Sequence, residues 1–115
     1  MIDPQSVPRF AGVATFMRMP HVYDLESTDA DAAFLGVPFD DATSYRPGAR
    51  FGPRSIREAS TLLKPYNPET GTDLSEFTIV DHDDVPVVPG YVRDTFEVIE
   101  EHVGDVLDHG VVPVL

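Results

Sequence analysis

Apolar positions in this chain fall into short continuous runs that alternate with stretches at helical spacing. Ala32–Val37 is an apolar run closing in Gly-Val-Pro, the pattern of a buried strand in a parallel sheet. Pro53–Leu63 reads as a helix. Pro53 suits its first turn, where the missing N–H costs nothing, and Ile56, Ala59, Leu62 and Leu63 share one face. Phe77–Asp81 is a second strand, followed by an acidic turn and the Pro86–Gly90 loop. Tyr91–His109 is the clearest helix: Val92, Phe96, Ile99, Val103, Val106 and Leu107 form one apolar stripe, and Glu97, Glu100 and Glu101 lie off it. Gly110 then suits the position after the cap. Val111–Leu115 begins a third strand. The order β–α–β–α–β predicts an α/β fold with a parallel sheet and right-handed crossovers.

The first 31 residues carry little periodicity. Pro4, Pro8 and Pro20 each disfavour helix at the preceding residue, so residues 1–31 read as an extended arm that packs on its own domain or on a neighbouring subunit. Within it, Ala14–Met19 can form one apolar turn. Asn67–Ser75 is a polar turn region with Pro68 and Gly71. The expected organisation is an arm over 1–31 and part of a single α/β domain over 32–115.

Composition narrows the partners. The chain has 115 residues, of which 42% are hydrophobic, enough to support a core. Asp and Glu number 20 against 8 Lys and Arg, a net charge of −12. Phosphate backbones and anionic lipid both need a basic footprint, so neither nucleic acid nor membrane is an expected partner. With Lys64 as its only lysine, the chain also has the composition of a protein soluble in high salt. The absence of cysteine excludes disulfides, Cys-bound zinc and thiol catalysis. The opening MIDPQSVPRF has neither a basic nor an apolar leader region, and no apolar run reaches the roughly 20 residues that span a bilayer. A cytoplasmic location is the expectation.

Candidate chemistry concentrates in the Pro38–Gly52 loop, which is long for a strand-to-helix connection. In open parallel sheets ligands bind beyond the carboxyl ends of the strands, where this loop sits. It carries Asp40, Asp41, Thr43, Ser44, Tyr45, Arg46 and Arg50, with Gly48 and Gly52 for backbone turns. Asp41 can meet a guanidinium or an amine, and Ser44 and Tyr45 can hydrogen-bond a substrate chain. A structural reading stands beside this one: Arg46 and Arg50 tie the loop to carboxylates or helix ends, and Phe51 plugs the core. Asp81-His82-Asp83-Asp84 invites a metal reading. Successive side chains leaving a strand point in alternating directions, however, so a solvated turn with one capping carboxylate is the expectation. His109 is favourably placed against the dipole of the second helix, His102 lies on that helix, and the role of His21 is open.

The run Ala33–Ser60, AFLGVPFDDATSYRPGARFGPRSIREAS, resembles almost residue for residue the N-terminal signature of the ureohydrolases, the arginase and agmatinase family. The likeness is closest to the agmatinase and guanidinobutyrase branch. Thr43–Ile56 matches its TSxRPGARFGPxxI signature, Leu35–Phe39 its first strand, and Pro8-Arg9-Phe10 with Thr15–His21 its arm. Val80–Val88 sits where the family carries D-x-G-D-V, with Asp83 in place of Gly. That departure alters the turn, because Asp tolerates positive φ less well than Gly.

The resemblance implies a three-layer αβα parallel sheet of the arginase type, of which only the N-terminal β-α-β-α-β portion is present. It implies hydrolysis of a linear guanidino compound, of the agmatine or guanidinobutyrate type, to urea and an amine at a binuclear manganese centre. Full-length members are expected to be homo-oligomers. Asp41, Thr43, Ser44, Tyr45 and Arg46 are then pocket-rim candidates that touch the small guanidino substrate, while Pro47, Gly48, Arg50, Phe51, Gly52 and Pro53 form the structural signature loop. The family's ligand motifs, G-G-D-H, D-A-H-x-D and a late D-x-D, do not occur in these 115 residues. No catalytic residue and no metal ligand is therefore assigned, and the chain alone is not expected to catalyse hydrolysis. The alternative is a catalytically dead fragment that acts as an interaction partner of a full-length homologue. A three-stranded sheet buries its faces poorly, so the isolated chain is expected to be marginal and prone to association through its open edge.

Overall fold

Strand side chains alternate between faces, and in this chain the alternation sorts one strand's residues into two separate cores. The computed structural model describes residues 1–2 and 5–115; Pro4, read above as a helix breaker, lies outside them. Along the chain come β1 (Ala32–Gly36), α1 (Gly52–Ser60), β2 (Tyr66–Asn67), β3 (Thr72–Asp73), β4 (Ile79–Asp84), α2 (Val92–Asp108) and β5 (Val112–Val114). Three strands form a parallel sheet in the order β4-β1-β5, so the predicted β–α–β–α–β core is present. Ala33 and Leu35 of β1 pack with Val80, Val85, Val106 and Val111 on the α2 side. Ala32 and Phe34 pack with Met17, Met19 and Ile79 on the side covered by the arm and α1.

The arm packs on its own domain. Short 3₁₀ turns form at Phe16–Arg18 and Leu25–Ser27. Between them the arm runs along the outer edge of β4, with His21 bridged in parallel to Asp81. Asp81 N–H donates to the Pro20 carbonyl at 2.9 Å, and Val22 N–H to the Asp81 carbonyl at 3.0 Å. The arm thereby pairs with the outer edge of β4 at Asp81. The apolar turn expected over Ala14–Met19 forms with Met17 and Arg18 at φ of 49° and 59°, a left-handed conformation that non-glycine residues adopt only under strain. Side-chain hydrogen bonds help to hold it, among them Met17 N–H to Ser60 Oγ at 2.8 Å and Thr15 Oγ1 to the Met19 carbonyl at 2.7 Å.

Four expectations need correction. The Asn67–Ser75 turn region contains the antiparallel β2–β3 ribbon, Tyr66 opposite Asp73 and Asn67 opposite Thr72. The acidic turn after Asp81 does not form, because β4 continues through Asp84 while pairing with Gly36 of β1. In α1 the predicted apolar face points outward: Ile56 is 56% exposed and Leu62 73%, and Arg57 and Ser60 face the interior instead. A charge pair fixes this orientation: Arg57 pairs with the fully buried Asp81, and leaving such a carboxylate unpaired costs about 3–5 kcal/mol. In α2 the stripe is narrower than predicted. Phe96 and Leu107 are exposed, because the buried face is rotated toward Thr95, whose hydroxyl bonds the Val88 N–H and carbonyl at 3.0 and 3.1 Å.

Candidate functional site: a charge-braced loop at the strand ends

The Pro38–Gly52 loop leaves the carboxyl end of β1 and has no strand or core to shape it; a network around two aspartates does so instead. Asp40 is buried. It accepts from the Gly48 N–H, from the Arg50 N–H at 3.3 Å and from Arg50 Nε. Burial alone raises its pKa, but the Arg50 guanidinium and these N–H groups outweigh burial and hold the carboxyl below its ordinary range. Arg50 is correspondingly held above its ordinary value, first by Asp40. Its other arm donates to Asp41 Oδ1, while Asp41 Oδ2 accepts from the Gly90 N–H. Asp41 thus links the loop after β1 to the loop after β4. Gly48, at φ 148°, takes a backbone conformation that a side chain would resist.

Of the pocket-rim candidates, Asp41 is therefore engaged within the loop network. Thr43, Ser44, Tyr45 and Arg46 stand exposed at the loop tip. Tyr45 is 74% exposed, and the Arg46 guanidinium lies 5.2 Å from its ring centroid. Arg46 itself sits at φ 52°. The structural reading holds for Arg50, which ties the loop to carboxylates. It fails for Phe51, which is 66% exposed and plugs nothing: the last loop turn, Ala49–Phe51, runs into α1 with its side chain turned from the sheet.

A second cluster, around Arg57, was not anticipated from the sequence. Arg57 donates from Nε and Nη2 to the two oxygens of Asp81 at 2.8 and 2.9 Å, and from Nη1 to Asp84. Asp81 also accepts from the N–H groups of Phe16 at 2.7 Å and Asp83 at 3.1 Å. Burial pushes its pKa up, but Arg57 and these donors prevail and hold it below the usual carboxylate range. Arg57 is raised well above its ordinary value, first by its bonds to Asp81. The signal available in the sequence was an arginine on the second turn after the signature loop, set against two carboxylates on a neighbouring strand.

Gly36 lies against this cluster. A Cβ there would stand 1.9 Å from Asp84 Oδ1 and 2.7 Å from Pro53 Cβ, so β1, β4 and the start of α1 meet only because the side chain is absent. Asp83 adopts φ 73°, so the position where the family pattern has Gly does take a left-handed conformation.

The Asp81–Asp84 run does not converge on an ion. Asp81 and Asp84 turn to Arg57, His82 Nδ1 lies 2.7 Å from the Val22 carbonyl, and Asp83 lies 3.6 Å from His21. Among the described residues no group of three or more His, Asp or Glu side chains can hold a metal ion. His109 caps α2, with Nδ1 2.7 Å from the Asp105 carbonyl, and that bond raises its pKa.

Residues 30–115 match the Arginase family. A guanidinobutyrase of Pseudomonas aeruginosa is 43% identical over 109 residues, covering 93% of this chain and 34% of the relative. Among solved structures, proclavaminate amidino hydrolase from Streptomyces clavuligerus superposes with a TM-score of 0.77 at 35% identity, covering 88% of this chain and 33% of that one. A Trypanosoma cruzi formiminoglutamase solved with manganese superposes with a TM-score of 0.68 at 26% identity, covering 86% of this chain and 33% of that one. The chain spans about a third of the length of the curated relatives it matches.

Proposed function

Because the chain belongs to the arginase family, we propose that it is the N-terminal portion of a hydrolase that splits a linear guanidino compound, of the agmatine or guanidinobutyrate type, into urea and an amine. The observation that carries this reading is the braced signature loop. Arg50, Asp40 and Asp41 fix the backbone of the loop beyond the carboxyl end of β1, the side of an open parallel sheet where ligands bind. With both Asp41 oxygens occupied, its role is to position the loop. Thr43, Ser44 and Tyr45 are left as hydroxyl groups that meet the substrate's tail.

A manganese pair belongs to this reading, in keeping with the formiminoglutamase solved with manganese. The residues here do not fit it: Asp81 and Asp84 are committed to Arg57 and His82 to a backbone carbonyl. The contribution of this chain is therefore to hold the loop and to position substrate.

The test uses protein in which this chain is joined to the remaining two thirds of a family member, assayed for urea with guanidinobutyrate and with agmatine. Urea from either supports the reading, and no urea from any linear guanidino compound overturns it. Within an active protein, Tyr45→Ala should raise KM several-fold with kcat little changed. The exposed apolar face of α1 favours a second reading, an interaction partner of a full-length homologue. A stable complex that does not depend on any urea-forming activity of this chain would favour it.

A further inference from the structure

The charges of the Pro38–Gly52 loop do not balance at its tip. Its carboxylates are those of Asp40 and Asp41, and all four of their oxygens are engaged. Asp40 takes Arg50 Nε on one oxygen and the Gly48 and Arg50 N–H groups on the other. Asp41 accepts from Arg50 on one oxygen and from the Gly90 N–H on the other. Arg50 is thereby neutralised within the base of the loop. Arg46 is not: it is exposed, and it forms no ion pair among the described residues. Its guanidinium rests against the Tyr45 ring, 5.2 Å from the centroid, a contact that needs no hydrogen bond and leaves its N–H groups available. Its backbone stands at φ 52°, a left-handed conformation that strains a residue with a side chain. Glycine would make this turn with less strain, and beyond the Tyr45 ring the guanidinium braces nothing in the loop. The fold itself therefore gives no reason for an arginine here.

We propose that Arg46 selects the tail of the substrate: its guanidinium binds a carboxylate there, so that the loop favours guanidino acids of the guanidinobutyrate type over guanidino amines of the agmatine type. The inference rests on the proposed function and narrows its substrate class. A carboxylate tail meets a planar, two-pronged and permanently charged donor in Arg46, and Ser44 and Tyr45 carry hydroxyl donors beside it. An ammonium tail meets like charge. The loop carboxylates that could offset that repulsion are already held by Arg50 and by backbone N–H groups. Arg46 lies in the signature that agmatinases and guanidinobutyrases share, so the arginine alone does not set the preference. What sets it is an arginine at the tip with no free carboxylate beside it.

Protein in which this chain is joined to the remaining two thirds of a family member is titrated calorimetrically with guanidinobutyrate and with agmatine, and assayed for urea with each. The native protein should bind guanidinobutyrate the more tightly. Arg46→Gln, checked for folding by circular dichroism, should raise Kd and KM for guanidinobutyrate at least about tenfold and lower both for agmatine. Ser44→Asp leaves Arg46 in place but sets a carboxylate two residues before it, and should shift the preference in the same direction. Arg46→Lys keeps the charge without the planar fork and should retain part of the preference. Opposite movements of the two ligands are the signature of a charge that reads the tail, since simple damage to the loop weakens both. Equal losses for both ligands, no change in Arg46→Gln, or a native protein that binds agmatine as tightly as guanidinobutyrate overturns the proposal. The two readings stay apart: guanidinobutyrate binding that depends on Arg46 without urea from either compound keeps the tail preference and counts against the proposed hydrolysis. Urea from both compounds at equal kcat/KM supports the hydrolysis and overturns the preference.

Discussion

Arg57→Met removes both bonds from the guanidinium to Asp81 and leaves that carboxylate, fully buried, with only the Phe16 and Asp83 N–H groups. The Arg57 side chain is 13% exposed, so water does little to screen the pair. Breaking a pair of this kind costs about 3–5 kcal/mol. The Asp84 contact adds little, since Asp84 is about one-third exposed. A loss near 3 kcal/mol is a large part of the roughly 5–15 kcal/mol that stabilises a whole domain. The pH dependence gives a sharper test than the magnitude. In the native chain Asp81 is held below its ordinary value. Its contribution is therefore complete above an unfolded pKa of about 3.9 and is lost as pH falls through the folded value. Without Arg57, burial prevails and the folded pKa rises. The sign then reverses, and the contribution is present below about 3.9 and lost as pH increases. The gap between native and variant chains should be widest near neutrality and should close toward pH 4. Urea unfolding followed by circular dichroism, with trimethylamine N-oxide present to bring a marginal transition into range, measures both arms. Asp81→Asn in the Arg57→Met background should recover part of the loss. A gap under about 1 kcal/mol at neutral pH, or one that does not change with pH, refutes the account of Arg57 as the counter-charge of the core.

Gly36→Ala places a methyl 2.7 Å from Pro53 Cβ and 1.9 Å from Asp84 Oδ1; the midpoint of urea unfolding should fall by the equivalent of about 1–3 kcal/mol, and an unchanged midpoint removes the close-approach explanation. Asp83→Gly relieves a φ of 73° but forfeits the 2.8 Å bond from Asp84 N–H to Asp83 Oδ1; it should lie within about 1 kcal/mol of the native chain. Asp83→Val should lose about 1–3 kcal/mol by the same measurement, and equal effects of Gly and Val would show that backbone strain at this position is negligible. Without osmolyte, light scattering from the isolated chain should rise with concentration, because Val112, Val114 and Ile56 are exposed beside an open edge. A reversible, concentration-independent melt would contradict this.

The elements were legible because their signals are local. Ala32–Gly36 is a short apolar run, Gly110 ends α2 at φ 73°, and Pro53 opens α1 from its first turn. What escaped the sequence was every choice governed by a distant charge. The periodicity of α1 ranks Ile56, Ala59, Leu62 and Leu63 as the inward face, and it contains no information about Asp81, 24 residues beyond Arg57. The same holds for β4. Asp-His-Asp-Asp looks like a solvated turn until one carboxylate is seen to be buried against a guanidinium, which lets the strand continue to Asp84. The candidate loop was legible in its ends and its signature residues. The division of labour within it was not, because Asp40 and Asp41 are alike in sequence and differ in burial and in the partners that the fold brings to them.

Two arginine–carboxylate clusters therefore do in this chain what apolar packing does elsewhere. Arg50 joins Asp40 and Asp41 and, through the Gly90 N–H, ties the loop after β1 to the loop after β4. Arg57 joins α1 to β4 and, through the Phe16 N–H on Asp81, to the arm. Gly36 lies where the second cluster meets the start of α1, so the two ends of the signature loop are set by the same close contact. A loop positioned in this way is held at its base by charge pairs and stands exposed at its tip, at Thr43, Ser44, Tyr45 and Arg46. That arrangement suits a specificity element: the base keeps its geometry while the tip is left to meet whatever completes the pocket. It also implies that screening by salt will act unequally. The Arg57–Asp81 pair, largely buried, should hold at ionic strengths that loosen the half-exposed Arg50 side of the loop.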